Sequence, residues 1–174
     1  QQWYRDEVES VLTDAGETLA TARFDLYGRS TYPDATGTLR IAFGTVSGYP
    51  MNGTRAPHET TLYGLFDRAI SFGNAGEHAL PRRYWDRRDD LDLSTPVNFV
   101  STADIIGGNS GSPVVNRESA LVGLIFDGNI ESLVGRYAYD AERARAVAVH
   151  PGYILEGLEV LYDADALVEE LLGR

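Results

Sequence analysis

Apolar residues recur every three or four positions at the start of the chain. Trp3, Val8, Val11, Leu12, Ala15 and Leu19 are separated by Glu and Asp, which predicts helix over 2–22. Gly16 falls inside this run and divides the expectation into two shorter helices. YPDATG, 32–37, is turn chemistry, with Pro presetting φ and Asp and Gly following. The period then shortens to two. TLRIAFGTVSGY, 38–49, alternates Leu39, Ile41 and Phe43 with Thr38, Arg40 and Ala42, the pattern of a half-buried strand. PMNGTRAPHE, 50–59, reads as a loop, and TTLYGLFDRAIS, 60–71, fits a strand or a short helix. Residues 72–96 are polar and charged and read as a surface excursion with one short helix.

A β-rich stretch follows. Strands are predicted over 97–104, 112–116, 120–128 (a buried one) and 145–151, with a tight turn at 117–119. Ile154, Leu155, Leu158, Leu161, Leu167 and Leu171 then mark one or two amphipathic helices over 153–173. Strands thus gather between about 37 and 150, with helix at both ends. This predicts a mainly β fold, a single antiparallel barrel with helical flanks.

Length and composition narrow the picture. The 174 residues suffice for one domain with a real core, and the 43% hydrophobic and 24% charged shares are ordinary. A net charge of −11 argues against nucleic acid and against anionic membrane surfaces as partners. No apolar run reaches the length of a membrane span. The opening QQWYRDEVES lacks a basic start and an apolar core, so it shows no secretion signal. There are no cysteines, which removes thiol catalysis and disulfides. His58, His78 and His150 show no metal-ligand spacing, and no cofactor or metal is expected.

The candidate chemistry lies in IIGGNSGSPVV, 105–115. A serine hydroxyl becomes a nucleophile once a base takes its proton and donors await the oxyanion. Gly-x-Ser-Gly supplies such donors from backbone, here the amides of Gly108 and Ser110. The segment also fits a glycine-rich turn with incidental serines. It resembles the Gly-Asp-Ser-Gly-Gly-Pro segment of chymotrypsin-like peptidases, with Asn109 in place of Asp and Ser112 in place of the last Gly. That resemblance puts the nucleophile at Ser110.

A closer resemblance covers the chain from about residue 20 to its end, apart from a divergent patch at 73–93. YPDATGTLRIAFGTVSGY, NFVSTADIIGGNSGSPVVN and LVGLIFDGNIESL, in that order, are similar to the C-terminal portion of S46 peptidases, the bacterial dipeptidyl-peptidases of types 7 and 11. The resemblance implies a double β-barrel with a helical domain between the barrels. Residues 1–29 would then end the helical domain, and 30–174 would form the second barrel and its C-terminal helices. It also implies a periplasmic or secreted bacterial enzyme that releases dipeptides from free N-termini.

Such enzymes take the triad His and Asp from the first barrel. Ser110 follows too little β-like chain to contain one, and no position here matches that His or Asp. The expectation is a half-site whose base and acid come from an upstream part of the same enzyme, so that the chain alone is inactive. The face around 105–112 and 126–130 should then expose apolar area, to be covered by that part or by a second copy in a homodimer. LIFDGNI follows the nucleophile at the position of the strand that lines the P1 pocket. Asp127 fits a hairpin-capping residue; by the resemblance it binds the substrate's α-ammonium. Type 11 enzymes carry Arg at the next position. Gly128 offers no cation there, which implies a preference for uncharged or apolar P1 residues. Two other readings remain open: a self-contained trypsin-like endopeptidase using a local histidine, and a non-catalytic β-barrel binding module.

Overall fold

The structure is a computed structural model that describes residues 2–28, 39, 41–136 and 139–174. The turn expected at 32–37 lies outside the described residues. The chain divides into two units, Gln1–Leu39 and Arg40–Arg174.

The first unit is helical. α1 (Gln2–Tyr4) runs through a π-helical segment, Arg5–Glu9, into α2 (Ser10–Tyr27). Gly28, at φ +57°, ends it. The helix is longer than expected and Gly16 does not divide it. One glycine costs a helix interior about 1 kcal/mol against Ala, less than the hydrogen bonds lost by breaking it. Thr13, Thr18 and Thr21 return their hydroxyls to carbonyls four residues back.

The second unit begins differently from its pattern. The strand expected over 38–49 is not formed by the described residues: 41–45 have no strand pairing and only Val46 makes a bridge, to Ser101. Leu39, Ile41 and Phe43 are exposed. Alternation defines a face, but a strand also needs a ladder: Thr45, Val46 and Ser47 bond to the end of β4 and the chain after it, while 41–43 have no pairing partner among the described residues. Strand pairing starts within the stretch read as a loop. β1 (Tyr49–Met51) and β2 (Thr54–Ala56) form a hairpin closed by Asn52–Gly53, both at positive φ, the geometry that Asn-Gly favours.

β3 (Glu59–Thr61) leads directly into α3 (Leu62–Ser71), so the ambiguous stretch is strand and then helix. β4 (Pro96–Ser101), β5 (Pro113–Val115), β6 (Leu121–Gly128) and β7 (Ala146–Val149) complete a five-stranded antiparallel sheet in the order β3-β4-β7-β6-β5. Antiparallel sheets plus helices are therefore the architecture. Helical residues outnumber strand residues, which corrects the mainly β expectation.

β4 feeds two core clusters. Val97 packs with Leu62, Phe66, Leu91 and Leu161, and Phe99 packs with Ile125, Ala146 and Ala148. The 72–96 segment is not a mere surface excursion. Its Leu80, Tyr84, Trp85 and Leu93 pack on the first cluster, and α4 (Arg82–Asp86) lies within it. Arg87 bonds the Val160 carbonyl at 3.0 Å and Asp163 at 2.8 Å, and the Tyr84 and Tyr153 hydroxyls share a hydrogen bond. The segment's charges face out while its interleaved apolar residues seal the C-terminal helices onto β4. Those helices are α5 (Pro151–Glu156), a π-helical Gly157–Leu161 and α6 (Asp165–Leu172). His150 caps α5, its Nδ1 accepting from the Gly152 amide at 3.0 Å.

Candidate active site

The 105–112 turn joins β4 to β5 and lies against β6. The Asn109 amide donates to the Ile106 carbonyl at 3.1 Å, and the Asn109 side chain donates to the same oxygen at 2.7 Å. Ser112 N bonds Asn109 O at 2.9 Å, closing the turn. Gly111 N donates to Ile125 O at 2.7 Å, and Ile125 N donates to Ser112 O at 3.0 Å, which docks the turn on β6. Gly108 and Gly111 sit at φ +102° and +85°, where a side chain would be strained. The amides of Asn109, Gly111 and Ser112 are thus committed. Those of Gly108 and Ser110, like those of Ile105, Ile106 and Gly107, bond to no other described residue. The open set thus includes the Gly108 and Ser110 amides expected as oxyanion donors, without being confined to them.

Ser110 is exposed, and its hydroxyl lies 3.5 Å from the Phe126 carbonyl. No described histidine hydrogen-bonds it. His58 lies 4.0 Å from Glu59, His78 stacks on Phe72 at 4.1 Å, and His150 is occupied as a helix cap. His78 and His150 are therefore engaged elsewhere, and His58 is exposed beside Glu59.

β6 carries Asp127 beside this turn, through a break in its alternation. Gly123 and Ile125 are buried, so a regular strand would also bury 127. The register instead shifts between Ile125 and Asp127: Ile125 faces Ala148, and Asp127 faces Val147. One extra residue in β6 forms a bulge, and Asp127 emerges exposed. β6 is therefore half-buried, not the buried strand expected. The Gly128 amide donates to Asp127 Oδ1 at 2.8 Å, and the second carboxylate oxygen has no partner among the described residues. The structure brings Ser110, Phe126 and Asp127 together at one end of β6.

Gly128 is fixed by close approach. A Cβ there would overlap the Ser132 hydroxyl, which donates to the Asn129 carbonyl at 2.6 Å. Ser132 belongs to the 3₁₀ segment Ile130–Arg136 and was not singled out from the sequence, which marks no partner for it. Ile106, Phe126 and Ile130 are exposed around this edge. Nearby, Tyr139 donates to the Thr102 carbonyl at 2.6 Å, tying its loop to the chain that enters the turn. Burial, and secondly the Asp104 carboxylate, raise the Tyr139 pKa, which keeps this hydroxyl a donor. Among the described residues no cluster of His, Asp and Glu could hold a metal ion.

Comparison with known proteins places this arrangement. The Peptidase S46 family model matches residues 1–173. Dipeptidyl-peptidase 7 of Capnocytophaga gingivalis is 33% identical over 150 residues, 80% of this chain and 21% of that protein. An Asp/Glu-specific dipeptidyl-peptidase of Shewanella putrefaciens is 37% identical over 169 residues, 80% of this chain and 23% of that protein. Crystal structures of Porphyromonas endodontalis DPP11 with the dipeptides Arg-Asp and Arg-Glu match with TM-scores of 0.72 and 0.74 at 28% identity. They cover 86% and 87% of this chain, and in each case 23% of the solved one. The chain thus spans between a fifth and a quarter of the length of these relatives.

Proposed function

The chain belongs to the peptidase S46 family, and on that premise we propose that it carries the nucleophile and the substrate-recognition edge of a serine dipeptidyl-peptidase. The observation that carries this reading is the exposed Ser110 hydroxyl in a glycine turn docked on β6, with the Gly108 and Ser110 amides among those the turn leaves unbonded. In this reading Ser110 Oγ attacks the scissile carbonyl carbon. The resulting oxyanion is met by the Gly108 and Ser110 amides. Collapse expels the shortened peptide as an amine, and water then releases the dipeptide from the acyl-enzyme. The proton of Ser110 passes to an imidazole, oriented by an Asp, from a part of the longer enzyme outside these residues. The absence of a hydrogen bond from any described histidine to Ser110, with His78 and His150 engaged elsewhere, supports this over a self-contained endopeptidase.

The free oxygen of Asp127 receives the α-ammonium of the substrate by a charge-assisted hydrogen bond. Gly128 leaves the adjoining pocket without a cation, and the Ser132 hydroxyl occupies the space of any side chain there. The P1 preference proposed is accordingly uncharged or apolar, unlike the Asp/Glu-specific relatives. The five-stranded sheet belongs to a chymotrypsin-like second barrel, and the helical stretch 1–29 ends a helical domain. The relatives are bacterial, no described helix is long and apolar enough to cross a membrane, and the enzyme works in the periplasm or outside the cell.

The test uses the full-length enzyme and peptides with free N-termini. Ser110→Ala lowers dipeptide release by about 10⁴-fold or more. Wild-type enzyme cleaves after Leu or Met in preference to Asp. Unchanged turnover in the variant overturns the nucleophile assignment, and faster cleavage after Asp overturns the pocket assignment.

A further inference from the structure

We infer that Arg145 and Asn129 form a buried clamp that fixes the spacing between Ser110 and Asp127 and thereby sets the length of the peptide released. The inference rests on the dipeptidyl-peptidase reading and adds two positioning residues to it.

Arg145 is 4% exposed, and no carboxylate lies within ion-pair distance of it among the described residues. A buried guanidinium needs partners for its five N–H donors. Backbone carbonyls meet four of them: Ser47 accepts from Nε at 2.8 Å, Gly48 from Nη2 at 3.0 Å, and Ala141 and Ala144 from Nη1 at 3.1 and 2.7 Å. One side chain therefore ties the segment before β1 to the loop before β7.

The backbone of the same residue holds Asn129, itself 8% exposed. Asn129 N donates to Arg145 O at 2.9 Å, and Arg145 N donates to Asn129 Oδ1 at 2.8 Å. This continues the β6–β7 ladder one step beyond Gly128–Ala146, with a side-chain amide in place of a backbone carbonyl. Asn129 Nδ2 donates to Arg143 O at 2.8 Å. The backbone carbonyl of Asn129 is released to accept from Ser132, so the chain turns away immediately after Asp127 and Gly128.

The two functional groups are thus referenced to one strand from opposite sides of its bulge. The Ser110 turn is bonded to Ile125, before the bulge, while the Asn129–Arg145 clamp holds the strand end after it, two residues past Asp127. An apolar residue at 145 would fill the space without fixing the strand end. In an extended peptide each residue advances about 3.3 Å, so the placement of an ammonium anchor relative to the nucleophile selects which bond is presented.

The experiment measures product length by mass spectrometry, KM, and the rate at which a fluorophosphonate labels Ser110, in the full-length enzyme. Arg145→Met raises KM for free-amine peptides about tenfold and adds tripeptides to the products, as expected for a misplaced anchor. Labelling of Ser110, which needs no ammonium, stays within about twofold. Arg145→Lys keeps the cation without the planar fork and lies between; it carries the test if Arg145→Met does not fold. Dipeptides alone, with unchanged KM, in whichever variant folds would overturn the clamp. So would labelling that falls with kcat while KM holds. Asp127→Asn in the same assay separates the two ideas. If it leaves KM unchanged, the ammonium-binding reading fails and the clamp with it. If it raises KM and the Arg145 variants do not, only the clamp fails.

Discussion

The serine turn and the end of β6 meet, yet they are built from different materials. The turn is mainly backbone: its shape comes from four hydrogen bonds of main-chain amides and two glycines at positive φ, with one side-chain bond from Asn109, and Ser110 itself is exposed. The end of β6 is held by side chains, with Asn129 and Arg145 buried and bonded mainly to main-chain groups. Reaction chemistry suits the first material, because amides are fixed dipoles that need no rotamer to be frozen. Recognition suits the second, because a buried polar clamp specifies direction as well as contact.

The contrast predicts that the turn fails in rate and the strand end fails in stability. Gly108→Ala meets no steric obstacle, since the space beside Gly108 is open within 4 Å, but φ +102° is forbidding for a side chain. The amide should rotate away. Turnover in the full-length enzyme should fall about 10²–10³-fold, with little change in thermal midpoint. A drop in midpoint with normal turnover would erase the distinction.

Asn129→Ala should behave in the opposite way. It leaves the Arg145 amide and the Arg143 carbonyl without their buried partner and should cost about 2–3 kcal/mol in denaturant unfolding. Fluorophosphonate labelling of Ser110 in the folded fraction should be nearly unchanged.

The smallest expected effect belongs to a control away from both regions. Burial first, and then the hydrogen bond to Tyr84, hold the Tyr153 pKa well above its ordinary value. The unfolded chain ionises near pH ~10 while the folded one stays protonated, so this stability is intact below that pH and is lost as pH rises toward the folded pKa. Tyr153→Phe should cost about 1 kcal/mol at neutral pH and flatten the alkaline arm of the unfolding curve, without touching KM or labelling. An unchanged alkaline arm would show that the Tyr84–Tyr153 pair does not couple folding to pH.

Local chemistry was legible in the sequence where it was self-contained. The strands around the serine turn, the tight turn at 117–119 and the C-terminal helices carry their own signals, and all form. Asn52–Gly53 carried a hairpin signal that was read as loop. What the chain could not announce was partnership. Leu39, Ile41 and Phe43 alternate like a strand without a ladder to join, while Tyr84, Trp85 and Leu91 hide among charges and become core. Arg145 bonds to carbonyls, which every residue has, so nothing in the sequence points to them. Asp127 was visible as a residue, but its exposure depends on a bulge that no composition rule marks.

That bulge makes the strand sensitive to length. Replacing Phe126 changes a contact; deleting it removes the bulge and leaves Asp127 directly after Ile125, opposite Val147 and still on the other face from Gly123 and Ile125. An insertion between Ile125 and Asp127 would enlarge the bulge or slide the pairing with β7 by one residue, and the slide would carry Asp127 to the opposite face. Chimeras that exchange this region between relatives should therefore be joined outside β6, with its residue count transferred intact, because a one-residue indel either alters the bulge or slides the register with β7, and a slide reverses inside and outside for the strand end.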